Sequence, residues 1–194
     1  MSHHTLIDYF EAHVSLTAHE RALIEEAYSV VELAKKEMLF EQGTKCMTEA
    51  FVVSGTLRVF YVDDKGSEHV LNFALPGWWV GDLASFYEGS EAFLNVQALE
   101  PSTLLVIDPE KKEKLFRSIP ALERIFRIVI QKHLASLQKR LIVNHSMTAD
   151  QRYKNLLEKI PMIEQLVPQY QIASYLGILP ESLSRLKKKL LEEK

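Results

Sequence analysis

The sequence predicts an α+β chain: an antiparallel β-roll, then one long helix, then a C-terminal helix-turn-helix. Three observations carry this. Six of the seven glycines fall between Gly43 and Gly89. Residues 120–146 contain no glycine, and no proline after Pro120. Beyond them the chain reads as short helices around a lone Gly177. Hydrophobic residues at 47% and charged residues at 25% of 194 are the balance of a globular protein, not of a disordered or collagen-like one.

Closely spaced glycines mark short strands joined by tight turns. The segments between them agree. Ala50–Val53 and Thr56–Val62 are rich in β-formers, with Leu57, Val59 and Tyr61 expected on one face. Asp63-Asp64-Lys65-Gly66 reads as a hairpin turn, Glu68–Ala74 as the return strand and Ser102–Ile107 as a late strand. Ahead of them Thr17–Ala34 has helical spacing, with Thr17 and Glu20 placed as a capping box. Residues 1–34 are therefore expected to form one or two helices on the β-region.

Pro120 suits the first turn of a helix that runs to Ser146, about 40 Å at 1.5 Å per residue. Its apolar residues recur at spacings of three and four. The stripe has two possible partners, the β-roll or a second copy of the chain. The favoured reading is a parallel coiled-coil-like homodimer seam through Phe126, Val129, His133, Leu137 and Leu141.

Past this helix come a helix from Thr148 to Ile160, a short one over Met162–Val167, and then helix, turn, helix: Gln169–Leu176, Gly177-Ile178-Leu179, Pro180–Leu191. Ala173 is small where two crossing helices must approach, and Gly177 stands where the chain must turn with positive φ. Such a unit lays its second helix in the DNA major groove. The residues expected to face DNA are Gln171, Pro180, Glu181, Ser182, Ser184, Arg185, Lys187, Lys188 and Lys189. Arg185 suits guanine and Glu181 suits cytosine, while Ser182 and the lysines suit phosphates. An αα-corner without a DNA role is the plain alternative. Residues 148–194 carry two more basic than acidic side chains and the remainder five more acidic than basic, a small bias that permits an anionic partner at this end.

Several function classes are excluded. The lone Cys46 rules out a disulfide framework and any cysteine-rich zinc or iron–sulfur site. No run of 18 uncharged apolar residues exists, so no membrane partner is expected; no secretory signal pattern opens the chain, so a cytoplasmic location is. No nucleophile elbow, P-loop, zincin or dinucleotide motif occurs, so no enzyme and no cofactor are expected.

In its order of parts the chain resembles the Crp/Fnr family of bacterial transcription regulators. The resemblance covers about residues 5–191. It rests on the turn glycines in EQGTK, VVSGTLRVF, DDKGSE and LPGWWVGDLASF, and on the segment IASYLGILPESLSRLKKKL. It implies a cyclic-nucleotide-binding-like β-roll (1–119), a dimerisation helix (120–147) and a winged helix-turn-helix (148–194). It also implies double-stranded DNA, a second copy and RNA polymerase as partners. Base-reading roles fall on Glu181 and Arg185, with Pro180 where the family has a further base-reading arginine. Wing strands would have to come from about residues 160–170 or be reduced. The effector site would involve Phe73, Gly81, Asp82, Leu83, Ala92 and Asn95. There the family's phosphate-neutralising arginine is replaced by Ala92, beside Glu91. A buried phosphate without a cation is strongly unfavourable. The expectation is a regulator that does not take cyclic AMP, its effector unidentified; the alternative is a regulatory or scaffold module without DNA binding. Phe73, Trp78, Trp79, Phe86, Tyr87 and Phe93 either line an apolar pocket or pack the roll.

Overall fold

The computed structural model describes residues 2–192. Two helices open it, α1 (Ser2–Glu11) and α2 (Ala18–Ala27). Thr17 caps α2 as its spacing predicts: Thr17 Oγ1 accepts the Glu20 N–H at 3.2 Å, and Glu20 Oε2 accepts the Thr17 N–H at 2.7 Å. The helix does not reach Ala34. It ends at Ala27, and Ser29–Leu33 forms strand β1, pairing antiparallel with Ser102–Ile107. Val30 and Val31 are β-branched, and strand pairing outweighs their helical spacing.

The β-roll continues with β2 (Met38–Phe40), β3 (Glu49–Ser54), β4 (Leu57–Val62), β5 (Glu68–Ala74) and β6 (Trp79–Gly81). The short helix α3 (Leu83–Glu88) precedes β7 (Asn95–Ala98) and β8 (Ser102–Ile107). Among the described residues the strands form two four-stranded sheets, ordered β1-β8-β3-β6 and β2-β7-β4-β5. Between them lies a core of Leu33, Cys46, Val52, Leu57, Val80, Val96 and Leu104. The turn into β4 needs a glycine: Gly55 has φ +87°, and a Cβ there would sit 2.1 Å from Ser102 Oγ. The expected alternation along β4 fails, because Arg58 and Phe60 are buried as well as Leu57 and Val59.

The reason lies in the helices that follow: α4 (Pro109–Ser118), α5 (Ala121–Ser146), α6 (Ala149–Lys159), α7 (Ile163–Leu166), α8 (Gln169–Leu176) and α9 (Pro180–Glu192). The first turns of α5 pack with α1, α2 and one sheet, joining Phe126 and Ile125 to Phe10, Phe51 and Leu105. The C-terminal helices cover the other sheet, where Phe60, Val70 and Phe73 share a core with Leu156, Ile163, Ile172, Ala173, Leu183 and Leu186. Both faces of β4 are thereby buried. Residues 160–170, one of the two expectations for the wing, form α7 and the start of α8 instead of strands; among the described residues no strand follows β8.

One charge pair lies inside this packing. Lys112 on α4 is bonded to Glu49 on β3, both almost fully buried. The Lys112 ammonium also donates to the Tyr87 hydroxyl at 3.1 Å and lies 4.2 Å from the centre of the Phe126 ring. Glu49 supplies the counter-charge and the rings a favourable cation–π environment.

Candidate DNA-reading helix and effector cradle

The turn between α8 and α9 is built as the sequence predicts. Gly177 takes φ +67° and caps α8, and Ile178 donates to the Ala173 carbonyl at 3.0 Å. Ala173 is fully buried where the helices cross. Leu183 and Leu186 hold α9 to the core, and Pro180, Glu181, Ser184, Arg185, Lys188 and Lys189 are exposed. Arg185 Nη2 donates to Ser182 Oγ at 3.3 Å.

The structure corrects two of the expected contacts. Gln171 does not face outward: it is 4% exposed, and its Nε2 donates to the Tyr170 hydroxyl at 3.1 Å. The outward glutamine is Gln169, whose Oε1 lies 3.4 Å from Ser184 Oγ on α9. Two positions along α8 separate the two roles. Lys187 is half-buried and bonded to Glu164 at 2.6 Å, so its charge serves the fold rather than a phosphate. Glu164 also accepts from the Tyr153 hydroxyl. Lys187 first and Tyr153 second hold the Glu164 carboxyl below its ordinary value.

The long helix is corrected in the same way. Phe126 is buried among Phe10, Trp79 and Phe116, and Val129 packs beside it. Phe126 is therefore taken up by its own chain, and Val129 is half-buried against the same cluster. Ile130, Leu134, Leu137 and Leu141 are exposed instead, at spacings of four, three and four, with His133 exposed beside them. That spacing is the a/d repeat of a coiled coil.

The expected effector residues do not surround one pocket. Phe73 faces the C-terminal helices, 5.2 Å from the Tyr175 ring. Leu83 is exposed, Ala92 is buried, and Asn95 Oδ1 accepts the Gln42 N–H at 3.0 Å. Trp79 and Phe86 are core, whereas Tyr87 and Phe93 are exposed. Asp82 follows Gly81 and caps α3. Its Oδ1 accepts the Ser85 N–H at 3.2 Å, and its Oδ2 accepts Phe93 N–H at 2.8 Å and Leu94 N–H at 3.1 Å. Three backbone donors thus converge on one carboxylate that is 3% exposed. Nearby, burial raises the pKa of the Cys46 thiol.

Residues 30–118 match the cyclic nucleotide-binding domain family. The chain is 27% identical over 165 residues to the transcriptional activator protein anr of Pseudomonas aeruginosa, covering 79% of this chain and 67% of that one. It is 28% identical over 165 residues to FnrA of Stutzerimonas stutzeri, with the same coverage. These matches support the resemblance to the Crp/Fnr regulators. These relatives are named as transcription regulators, not enzymes. Its fold is similar to CLP, a c-di-GMP responsive global regulator of Xanthomonas campestris, at TM-score 0.73 and 19% identity over 91% of this chain and 93% of that one. It is also similar to FixK2 of Bradyrhizobium japonicum, at TM-score 0.70 and 18% identity over 86% of this chain and 85% of that one.

Proposed function

We propose that this chain is a homodimeric, sequence-specific DNA-binding regulator whose β-roll takes no cyclic nucleotide. The observation that carries the DNA reading is α9: Leu183 and Leu186 fix it inward, while Glu181, Ser184, Arg185 and Lys188 are exposed. Arg185 reads guanine bidentately, Glu181 accepts from cytosine, and Lys188 neutralises a phosphate. Pro180 offers no base-reading donor, so the operator differs from that of members with an arginine there. The exposed Ile130–Leu141 stripe supplies the seam that pairs two reading helices on successive major grooves.

Asp82 supports the nucleotide-independent part. Its carboxylate takes the backbone N–H groups of Phe93 and Leu94, in the segment where the family cradles a phosphate. Ala92 leaves that segment without the neutralising cation.

The test is binding to a randomised duplex pool at two salt concentrations, with calorimetric titration of cyclic AMP and cyclic GMP. Enriched duplexes whose affinity falls steeply with salt, and flat titrations, are expected. Failure to enrich any duplex favours a module without DNA binding, and saturable nucleotide heat overturns the cradle argument.

A further inference from the structure

The first helix of the helix-turn-helix is fastened to the β-roll at named points. β5 is the outer strand of its sheet, so its far edge has no strand partner among the described residues. Its pairing with β4 shifts between Val59 and Phe60. On the open edge, Ser174 Oγ accepts the Val70 N–H at 2.9 Å and donates to the Glu68 carbonyl at 3.1 Å. One hydroxyl on α8 thus satisfies both groups that a neighbouring strand would have satisfied. The strand is bonded further at this point: the Glu68 carboxylate is ion-paired with Arg58, which is buried, bonded to Gln97 at 2.8 Å and 3.9 Å from the centre of the Phe60 ring.

The next residue adds a second attachment. The Tyr175 ring is 5.2 Å from Phe73 on β5 and 4.6 Å from the Arg140 guanidinium on α5. Tyr175 therefore touches strand, long helix and helix-turn-helix together. The α8 face formed by Ile172, Ala173 and Leu176 lies in the same core as Phe60, Val70 and Phe73.

We infer that Ser174 and Tyr175 are positioning residues that hold the reading helix at one fixed placement against β5 and α5, and so restrict the dimer to one half-site spacing. The inference rests on the dimeric DNA reading proposed above. Its physics is geometric. Inserting one base pair moves the second half-site by about 3.4 Å and turns it by roughly 35° about the duplex axis. A reading helix free on a linker follows that change, whereas one bonded to a sheet edge and wedged against α5 does not.

The experiment starts from a duplex enriched by the full-length protein. Its two half-sites are then moved apart or together by one and two base pairs, and a single half-site duplex serves as control. Ser174→Ala removes both edge bonds. Arg140→Gln loosens Tyr175 from outside the helix-turn-helix core. The unaltered protein is expected to bind one spacing strongly and the others at least about tenfold more weakly. Each variant is expected to keep half-site affinity, lose affinity for the original spacing and flatten the spacing profile; a merely structural loss would weaken all duplexes alike. Variants that are folded and dimeric yet keep the original profile overturn the inference and leave the DNA reading intact. An unaltered protein that binds several spacings equally overturns it as well. Failure of the unaltered protein to enrich any duplex overturns the DNA reading, and the inference with it.

Discussion

The carboxylate of Asp82 accepts the backbone N–H of Phe93 at 2.8 Å, across a turn that in sequence separates the two by eleven residues. Asp82 thereby ties the start of α3 to the segment that leads into β7. A side chain so placed is a structural anion, and its removal has a direct cost. Asp82→Ala strands three N–H groups, one of them a helix cap, and is expected to destabilise the protein by about 1–3 kcal/mol in urea unfolding. Asp82→Asn keeps one acceptor oxygen and is expected to lose less. Equal stability of Asp82→Ala and the unaltered chain would show that the N–H groups find other partners.

The two halves of α5 predict opposite outcomes. Leu134 and Leu137 are 55% and 43% exposed. Leu134→Glu with Leu137→Glu is expected to give a folded monomer by sedimentation velocity, with the monomer's own stability changed by no more than about 0.5 kcal/mol per site. Phe126 is 4% exposed. Phe126→Ala is expected to destabilise each chain by about 3–5 kcal/mol. A Phe126→Ala protein that melts normally but dissociates would return that residue to the seam.

Much of the fold is legible in the residues, and the misreadings have definite physical causes. β5 and β8 agree residue for residue with the segments read from β-formers and turn signals, because turn glycines are local and specific. The start of α5 just after Pro120 and the Gly177 turn are legible from equally local signals. Phe126 and Leu137 share a helical periodicity, but periodicity alone does not say which part of a stripe meets its own chain. Gln171 and Gln169 differ by two positions on one short helix, and only the packing of Ile172 and Ala173 against β5 decides which faces out. The clasp through Ser174 has no local signal at all, since its partners lie about a hundred residues away.

On α9 the exposed side chains divide by what they would touch. Arg185→Ala is expected to cost about 1–3 kcal/mol at one base pair per half-site and to relax specificity there. Lys188→Ala is expected to weaken all duplexes alike and to reduce the salt dependence by about one released counterion for each phosphate no longer neutralised. Gln171→Ala is expected to lower stability and leave the ranking of duplex sequences unchanged. Fluorescence anisotropy on the enriched duplex and its single-base variants separates the three. A Gln171→Ala protein with altered base preference would contradict the buried placement.

Glu164 links stability to acid pH through the pair it forms with Lys187 and Tyr153. In the folded chain its carboxyl is held below the ordinary value of 4.5, first by the Lys187 bond and then by the Tyr153 hydroxyl. A carboxyl lowered on folding stabilises fully above its unfolded pKa, and that contribution is lost as pH falls through the lowered folded value. The window therefore opens just below 4.5 and extends downward. Glu164→Gln keeps an acceptor for Tyr153 but removes the charge. It is expected to melt below the unaltered protein near neutral pH, and the gap is expected to close as the pH drops through that window. Because Glu164 is partly exposed, added salt should narrow the gap at neutral pH as well. A melting difference that stays constant from neutral to acid pH would show that the Lys187–Glu164 charge pair contributes nothing to holding α9 on the C-terminal core.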